Sequence, residues 1–392
     1  MNKNYQIILY GATGFTGKLC AEYFKKNYPD LNWAIAGRNK NKLEALKSEL
    51  KLDCDIFVAD SDDYEAIKNF VKQTKVVLSA AGPFARYSTK VVEACVECKT
   101  HYTDITGENH WVKGLIDRFH EKAALDGTRI VPSCGYDSIP SDLGVYFSVT
   151  RSNQPVTHVT VYHSAKGGAS GGTTETMFTM GPLPKEMRDP FLLNPQDSVS
   201  ETQKRKSLDN FSVKPIPGTD AFSGMGLMAF ANTRVVRRSS ALFDLNQKSY
   251  GPDFTFKELG SYPSKAAARI TSLVLMSAFL VIATPLRYLV RPLLPKPGDG
   301  PDKEARDNGW FRGLFVAELE DGSEKRFEIY GSGDPGYKST SKMVCEAALT
   351  LAFSDDLPFG NEFGGVLTSA VGLGDPLISR LMKAGITFEA LS

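Results

Sequence analysis

The chain contains 392 residues, with 46 lysines and arginines against 45 aspartates and glutamates, which gives a formal net charge of +1. This balance provides no reason to expect a nucleic acid or another polyanion as a partner. Hydrophobic residues make up 42% of the sequence, which at this length favours two domains with substantial cores.

A glycine-rich segment follows the first apolar run of the chain. Residues 7–10 predict a strand, and a helix is expected over residues 16–27. Glycines at this spacing allow a tight turn, let the backbone approach a pyrophosphate, and leave N–H groups at the positive end of the helix. The segment therefore favours a dinucleotide site over a plain structural turn. Its residues are Gly11, Ala12, Thr13, Gly14, Phe15, Thr16 and Gly17.

The second predicted strand, residues 33–36, indicates which dinucleotide is bound. It is followed by Gly37, Arg38 and Asn39, with no acidic residue to bind a ribose hydroxyl. An arginine here offers a planar, charged fork to the 2′-phosphate of NADP(H). The alternative is that Arg38 is a solvated charge at the start of a helix over residues 40–50.

Strands and helices continue to alternate along the first 150 residues. Residues 56–60 predict a strand, residues 64–72 a helix, and residues 76–83 a buried strand and its loop. This alternation predicts a Rossmann-type, doubly wound parallel sheet, an α/β fold. Asp60, Ala81, Gly82 and Pro83 lie at the ends of these strands and complete the expected cofactor contacts.

A polar loop follows the last strand predicted for this domain. Helices are expected over residues 89–98 and 110–124, a short strand and loop over 102–108, and a strand over 129–132. Residues 133–142 would then lie at the carboxyl end of a strand, where ligands bind in such sheets. The alternative is that this loop packs at a domain junction.

Residues 151–392 predict a second, α+β domain for substrate binding or homodimer formation. Residues 156–163 alternate like a strand with one buried face, and residues 185–217 have the polar composition of a mobile segment. Residues 315–319 and 326–330 flank Asp321 and Gly322 and predict a hairpin. The C-terminal helices are candidates to pack back on the first domain.

An apolar segment at residues 270–291 departs from this soluble pattern. Residues 270–286 carry no charge, and Arg287, Arg291 and Lys296 follow at once. Three interpretations remain open: a buried helix of the second domain, reversible contact with a membrane or lipid droplet, and a true membrane span.

Two further patterns have weak support. Tyr162 and Lys166 match the spacing of short-chain dehydrogenases, but in a strand their side chains would stand about 13 Å apart. Cys95 and Cys98 have no second pair and fall in a predicted helix, so no metal site is expected. The six cysteines form no disulfide framework, and with no signal peptide ahead of the first strand an intracellular, cytoplasmic location is expected.

Several segments together carry a family resemblance, and the most specific of them is residues 134–144. The others are residues 11–17, 36–38, 81–84, 101–108, 170–173, 333–337 and 364–368. With these motifs the chain resembles the saccharopine dehydrogenase-like oxidoreductases, in the branch of the trans-acting enoyl reductases.

The resemblance implies an NADP-dependent oxidoreductase but does not fix its substrate. The apolar segment at residues 270–286 favours an enoyl or other lipid-type substrate, as in the enoyl reductase branch. Hydride transfer to C=C or C=N requires a positioned proton donor. Tyr136 is the first candidate, with Asp137 and Ser138 beside it and Lys166 as a contribution from the second domain. Two alternatives remain open: a lipid-surface protein with a retained Rossmann fold, and a saccharopine-type amino-acid dehydrogenase, which would require convergent arginines.

Overall fold

The computed structural model describes residues 3–167, 185–209, 211–291 and 300–391, and these residues form two sheets with helices around them. The strands are β1 (Tyr5–Tyr10), β2 (Trp33–Gly37), β3 (Asp55–Val58), β4 (Thr74–Ser79), β5 (His101–Asp104), β6 (Arg129–Val131), β7 (Val156–Lys166), β8 (Phe222–Gly224), β9 (Thr255–Tyr262), β10 (Trp310–Leu319), β11 (Glu324–Ser332), β12 (Gly365–Val366) and β13 (Ile386–Leu391). The helices are α1 (Phe15–Asn27), α2 (Lys40–Leu50), α3 (Tyr64–Val71), α4 (Phe84–Tyr87), α5 (Thr89–Glu97), α6 (Asn109–Leu125), α7 (Ile139–Thr150), α8 (Glu201–Lys206), α9 (Ala229–Leu245), α10 (Lys265–Ile282), α11 (Arg287–Val290), α12 (Lys303–Asp307), α13 (Thr340–Phe353), α14 (Ser369–Gly372) and α15 (Gly374–Lys383).

The first sheet is parallel and doubly wound, as the sequence predicts. Its order is β12-β6-β5-β4-β1-β2-β3, in which the six strands β1 to β6 have the 3-2-1-4-5-6 arrangement of dinucleotide-binding folds. Ile7 and Leu9 face one side of β1 while Ile8 and Tyr10 face the other, and all four are buried. Helices cover both faces because a parallel sheet presents apolar side chains on each.

Local capping explains why several helices begin where the sequence predicts. The side chain of Asn39 accepts a hydrogen bond from the backbone N–H of Lys42 at 3.0 Å, which fixes the start of α2. Asp63 caps α3 in the same way through the N–H of Ala66. These polar caps are local signals, and the helices predicted over residues 40–50 and 64–72 are confirmed to within one residue.

The second sheet is mixed, with the order β13-β11-β10-β7-β9-β8. The predicted hairpin is confirmed as the antiparallel pair β10 and β11. Helix α7 lies against the inner face of this sheet, and a Cβ at Gly144 would come within 2.1 Å of the Phe315 ring. This close approach brings the loop before α7 to the junction of the two sheets.

The C-terminal part of the chain returns to the first sheet. Helix α13 packs on α1, β1, β4 and β5, and β12 extends the sheet beside β6. Asp142 of α7, which is fully buried, accepts hydrogen bonds from the hydroxyls of Ser239 and Ser369 and from the N–H of Ala370. Residues from the C-terminal part of the chain therefore complete the core around the first sheet.

The apolar segment at residues 270–291 forms α10, a turn and α11, and most of its apolar side chains are exposed. Ala268 and Ser272 are the buried residues of α10, whereas Ile270, Leu273 and Leu280 are 63%, 66% and 68% exposed. The interpretation of a buried core helix is therefore wrong. Within the described ranges, α10 is long and apolar enough to cross a bilayer.

Two other expectations need correction or lie outside the described residues. The segment predicted to be mobile contains α8, which starts with a capping box made by Ser200 and Gln203, because each side chain bonds the other's backbone. The family segment at residues 170–173 lies outside the described residues.

Candidate active site

The glycine-rich turn joins β1 to α1, and its geometry explains the glycine spacing. Gly11 has a φ of +81°, and a Cβ there would lie 2.7 Å from the backbone nitrogen of Ala81. A Cβ at Gly17 would lie 2.2 Å from the carbonyl oxygen of Gly11. Both positions exclude any larger residue because backbone atoms fill the space.

Gly14 differs from these two glycines because the fold leaves room beside it. The nearest atom to a Cβ at Gly14 would be the Gly11 carbonyl oxygen, at 3.4 Å. Gly14 is the N-cap of α1, whose first N–H groups have no partner within the helix. The open space at this helix end fits the pyrophosphate of a dinucleotide.

The other predicted cofactor residues lie around this turn. Arg38 is exposed just after β2, with its guanidinium carbon 5.9 Å from the centre of the Tyr87 ring. Asn39 uses its side-chain oxygen to cap α2, and the exposed Asp60 accepts a hydrogen bond from the N–H of Asp62. The ring of Phe15 packs edge-on against Tyr337, with ring centres 5.0 Å apart.

Two buried acids hold the loops at the carboxyl ends of β4, β5 and β6. Glu108 accepts hydrogen bonds from the N–H groups of Phe84 and Ala85, at 2.8 and 3.0 Å, and so fixes the chain after residues Ala81, Gly82 and Pro83. Asp104 accepts from the backbones of Thr106 and Ser133 and from a tyrosine hydroxyl. Burial raises the pKa of Asp104 to about 7, although these hydrogen bonds oppose the shift.

Tyr136 and Asp137 lie together in the loop after β6. The backbone N–H of Tyr136 donates to the hydroxyl of Thr340 at 3.0 Å, and its ring lies 5.1 Å from that of Phe311. Burial raises the pKa of the Tyr136 phenol above its usual range, and it raises the pKa of Asp137 to about 6. Asp137 points toward the loop after β5, since a Cβ at Gly107 would lie 3.9 Å from its carboxylate.

A buried polar network that the sequence did not reveal lies next to Tyr136. Ser141 donates from its hydroxyl to Glu258 at 2.7 Å and lies 2.9 Å from Nε2 of His163. Asn232 donates to the other Glu258 oxygen at 3.0 Å, and its own oxygen accepts from the hydroxyl of Ser138 at 3.2 Å. These hydrogen bonds join α7, α9, β7 and β9 at one point.

Burial shifts the two ionisable members of this network in opposite directions. The pKa of Glu258 is raised to about 7 and that of His163 is lowered to about 4. His163 is therefore neutral at physiological pH, and its ring centre lies 6.5 Å from that of Tyr136. Ser141 falls in the polar loop that the sequence highlighted, but no motif marks His163, Asn232 or Glu258.

The structure does not bring the side chain of Lys166 to Tyr136 or to the polar network beside it. Lys166 is exposed at the end of β7, and it follows His163 by three residues. Because side chains alternate along a strand, the two project from opposite faces of the sheet. Tyr162 and Lys166 both belong to β7, so the helical arrangement of short-chain dehydrogenases does not exist here.

The comparisons with known proteins agree with this arrangement. Residues 7–131, which span β1 to β6, match the family model of the saccharopine dehydrogenase NADP binding domain. A Mycobacterium tuberculosis protein provisionally named trans-acting enoyl reductase is 34% identical over 99% of this chain and 97% of its own length. A trans-acting enoyl reductase of Mycobacterium ulcerans is 32% identical over 99% of this chain and 98% of its own length. The chain belongs to the saccharopine dehydrogenase-like oxidoreductases, in the trans-acting enoyl reductase branch.

Solved structures extend the match in fold to both sheets. Saccharopine dehydrogenase (L-Glu forming) from Saccharomyces cerevisiae has a TM-score of 0.55 and 13% identity, covering 99% of this chain and all of its own. Homospermidine synthase from Legionella pneumophila, solved with NAD, has a TM-score of 0.56 and 8% identity, covering 100% of this chain and 92% of its own. At such identities the likeness concerns the fold alone.

As a member of this family, the chain is an NADP-dependent oxidoreductase, as the sequence predicts. The later family blocks have structural roles here. Residues 364–368 contain β12, and in the block at 333–337 the carboxylate of Asp334 accepts a hydrogen bond from the N–H of Tyr337 at 2.8 Å. Tyr337 in turn packs against Phe15 in the nucleotide turn.

Proposed function

We propose that this oxidoreductase reduces the C=C bond of an enoyl or other lipid-type substrate, with Tyr136 as the proton donor. Bound NADPH supplies a hydride to one carbon of the double bond. The chain must then deliver a proton to the other carbon, so that H⁻ and H⁺ together saturate the bond. Tyr136 is supported in this role by its place at the carboxyl end of β6, where such sheets bind their ligands.

The surroundings of Tyr136 carry this proposal. Burial raises its pKa, with Glu258 and Asp137 as further causes, so the phenol stays protonated until negative charge develops on the substrate. Asp137, the next residue of the loop, has a pKa of about 6 and is the group that we infer returns the proton to Tyr136 after turnover. The names of relatives at 34% and 32% identity independently favour enoyl reduction.

The test is consumption of NADPH with enoyl thioesters such as crotonyl-CoA and 2-dodecenoyl-CoA. Tyr136→Phe should lower turnover by about 10²- to 10⁴-fold while leaving the affinity for NADPH unchanged. Tyr330→Phe, on the exposed side of β11, is the matched control and should react like the unmutated protein. An unchanged rate in Tyr136→Phe would reduce Tyr136 to a packing residue.

A lipid surface is a second candidate partner, and the exposed side of α10 favours it. Ile270, Leu273, Val274, Met276 and Leu280 are each at least half exposed on this helix. Residues 259–298 contain five lysines and arginines and no acidic residue. An apolar face with a cationic flank matches the boundary of an anionic membrane or droplet, where apolar burial and charge attraction add.

Liposome flotation tests this contact. The unmutated protein should float with vesicles containing phosphatidylserine, and Leu273→Ser with Leu280→Ser should abolish flotation because both side chains belong to the exposed face. Arg287→Glu with Arg291→Glu should weaken it on anionic vesicles alone. If the unmutated protein stays with the soluble fraction on every vesicle, the proposed surface fails.

A saccharopine-type activity has less support from the second domain. Arg234 and Arg237 bind Asp209 and backbone carbonyls, and Arg238 binds the carbonyls of Leu193 and Val366. These arginines are committed to structure, whereas an amino-acid substrate with several carboxylates requires guanidinium groups that face it. Reduction of enoyl thioesters therefore remains the favoured activity.

A further inference from the structure

The glycine-rich turn at the dinucleotide site contributes no positively charged side chain. Residues 11–17 contain neither lysine nor arginine. Lys18, the next residue, pairs with Glu49 at 2.6 Å. The pyrophosphate of NADPH carries two negative charges, whereas a helix N-terminus supplies the equivalent of roughly half a positive charge. A cation from another part of the chain is therefore required to balance the charge of the pyrophosphate.

The first residue of α1 shows which part of the chain lies at this helix end. Side chains of a helix are tilted toward its N-terminus, so the ring of Phe15 lies beside the end that binds the pyrophosphate. The guanidinium carbon of Arg306 in α12 lies 5.5 Å from the centre of this ring. A Cβ at Gly300 would lie 2.5 Å from the same ring. A segment distant in sequence thus brings an arginine to the N-terminal end of α1.

Arg306 is oriented by its neighbours and keeps most of its hydrogen-bond donors. One terminal nitrogen donates to the carbonyl oxygen of Pro301 at 2.6 Å, and the guanidinium lies near the Phe15 ring as a cation–π contact. Among the residues that the structure describes, no carboxylate pairs with this guanidinium, and the side chain is half-buried. An arginine has five N–H donors in a planar fork, so those that remain can bind phosphate oxygens.

The family block at residues 333–337 fixes the backbone of Arg306. The N–H of Asp334 donates to the carbonyl oxygen of Arg306 at 2.8 Å, and the carboxylate of Asp334 accepts from the N–H of Tyr337, also at 2.8 Å. The ring of Tyr337 packs edge-on against that of Phe15. One series of contacts therefore joins α12 to the nucleotide turn, which gives this block a role at the cofactor site.

We propose that Arg306 binds the pyrophosphate of NADPH. A guanidinium matches two phosphate oxygens at once, and its charge adds to the partial charge at the start of α1. Arg38, after β2, is the residue expected at the 2′-phosphate, so the two arginines recognise different phosphates of one cofactor. Arg306 then determines how tightly any dinucleotide binds, and Arg38 determines which dinucleotide is preferred.

Calorimetric titration with NADPH and NADH tests this assignment without turnover. Both cofactors contain the pyrophosphate, so Arg306→Gln should weaken both by the same factor, about tenfold to a hundredfold, the value of a charge-assisted hydrogen bond. Arg38→Ala should weaken the binding of NADPH alone. Lys303→Gln removes a positive charge from an exposed position of the same helix and is the matched control, with both affinities unchanged.

Two further measurements distinguish a pyrophosphate contact from other roles of Arg306. Adenosine 2′-monophosphate has the 2′-phosphate but no pyrophosphate, so it should bind Arg306→Gln as well as it binds the unmutated protein. Added salt should narrow the difference in NADH affinity between these two proteins, because salt screens a charge contact and leaves a packing contact almost unchanged. If Arg306→Gln does not fold, Arg306→Lys keeps the charge without the planar fork and should lower both affinities by a smaller common factor.

Several results would overturn the assignment. They are unchanged affinities in the Arg306 variants, an equal loss in Lys303→Gln, and a difference that salt does not alter. A loss confined to NADPH, or weaker binding of adenosine 2′-monophosphate, would place Arg306 at the 2′-phosphate instead. The proposed reduction of enoyl thioesters is tested by turnover, so its failure would leave these binding results as they stand.

Discussion

Glu258→Gln should change how the stability of the protein depends on pH. Glu258 is 5% exposed, and burial raises its pKa from 4.5 to about 7 against the opposing hydrogen bonds of Ser141 and Asn232. Because its pKa is higher in the folded state, the native protein retains a proton that the unfolded chain releases between these two values. Unfolding free energy is therefore lost as pH rises through this window.

The magnitude follows from the shift. A rise of the pKa from 4.5 to about 7 corresponds to about 3 kcal/mol of unfolding free energy in full, most of which falls between pH 5 and pH 8. Glutamine does not titrate, so between pH 5 and pH 8 the unfolding free energy of the variant should rise by this amount relative to that of the unmutated protein. Any cost of imperfect hydrogen bonding to Ser141 or Asn232 is nearly independent of pH and cancels in the comparison.

Urea unfolding followed by tryptophan fluorescence at pH 5, 6, 7 and 8 measures this difference. Glu320→Gln, at an exposed position, is the control and should give curves parallel to those of the unmutated protein. The lowered pKa of His163, about 4, acts in the opposite direction, because its contribution is lost as pH falls below 6.5. That contribution is present in both proteins, so parallel curves for Glu258→Gln would refute the reasoning.

Three further outcomes are expected. Gly14→Val should fold, because a Cβ there meets no atom closer than 3.4 Å, but it should lose NADPH binding, because the side chain would occupy the space of the pyrophosphate. Gly17→Ala should unfold, since its Cβ would lie 2.2 Å from a carbonyl oxygen. Circular dichroism measures folding and calorimetry measures NADPH binding. Arg38→Ala should remove a preference for NADPH over NADH of about tenfold to a hundredfold, the value of a charge-assisted hydrogen bond, and equal affinities in the unmutated protein would contradict this. Asp142→Ala should destabilise the protein by about 3 kcal/mol or more in urea, because buried donors of Ser239 and two other groups lose their acceptor.

Local signals in the sequence were sufficient for the first sheet and its nucleotide turn. Glycine spacing and strand periodicity act over a few residues, so the turn that contains Gly11 and Gly17 could be placed from the sequence. The capping role of Asn39 and the approach of Ala81 to Gly11 were visible only in the structure. The family resemblance added the reaction class and agreed with the cofactor expected from Arg38. It could not give distances between segments.

The network beside Tyr136 depends on contacts between residues far apart in the chain. Ser141 and Glu258 are 117 positions apart, and Ser138 and Asn232 are 94 apart, so only the packing of α7 against the second sheet and α9 brings them together. The expectation that Lys166 lies beside Tyr136 was wrong for a related reason. Side chains alternate along β7, so the face on which a residue lies depends on register and not on proximity in sequence.

The exposure of α10 was also decided by tertiary structure. Composition gave an apolar helix, but an apolar helix can be a core element, a membrane contact or a span, and the difference lies in what covers it. The sequence by itself determined the parallel sheet, its glycine turn and the expectation of an NADP(H) site, because these follow from local backbone and motif chemistry. Only the tertiary structure decided which acids and hydroxyls surround Tyr136, which face of the sheet Lys166 occupies and which side chains of α10 are exposed, because each depends on how distant segments pack.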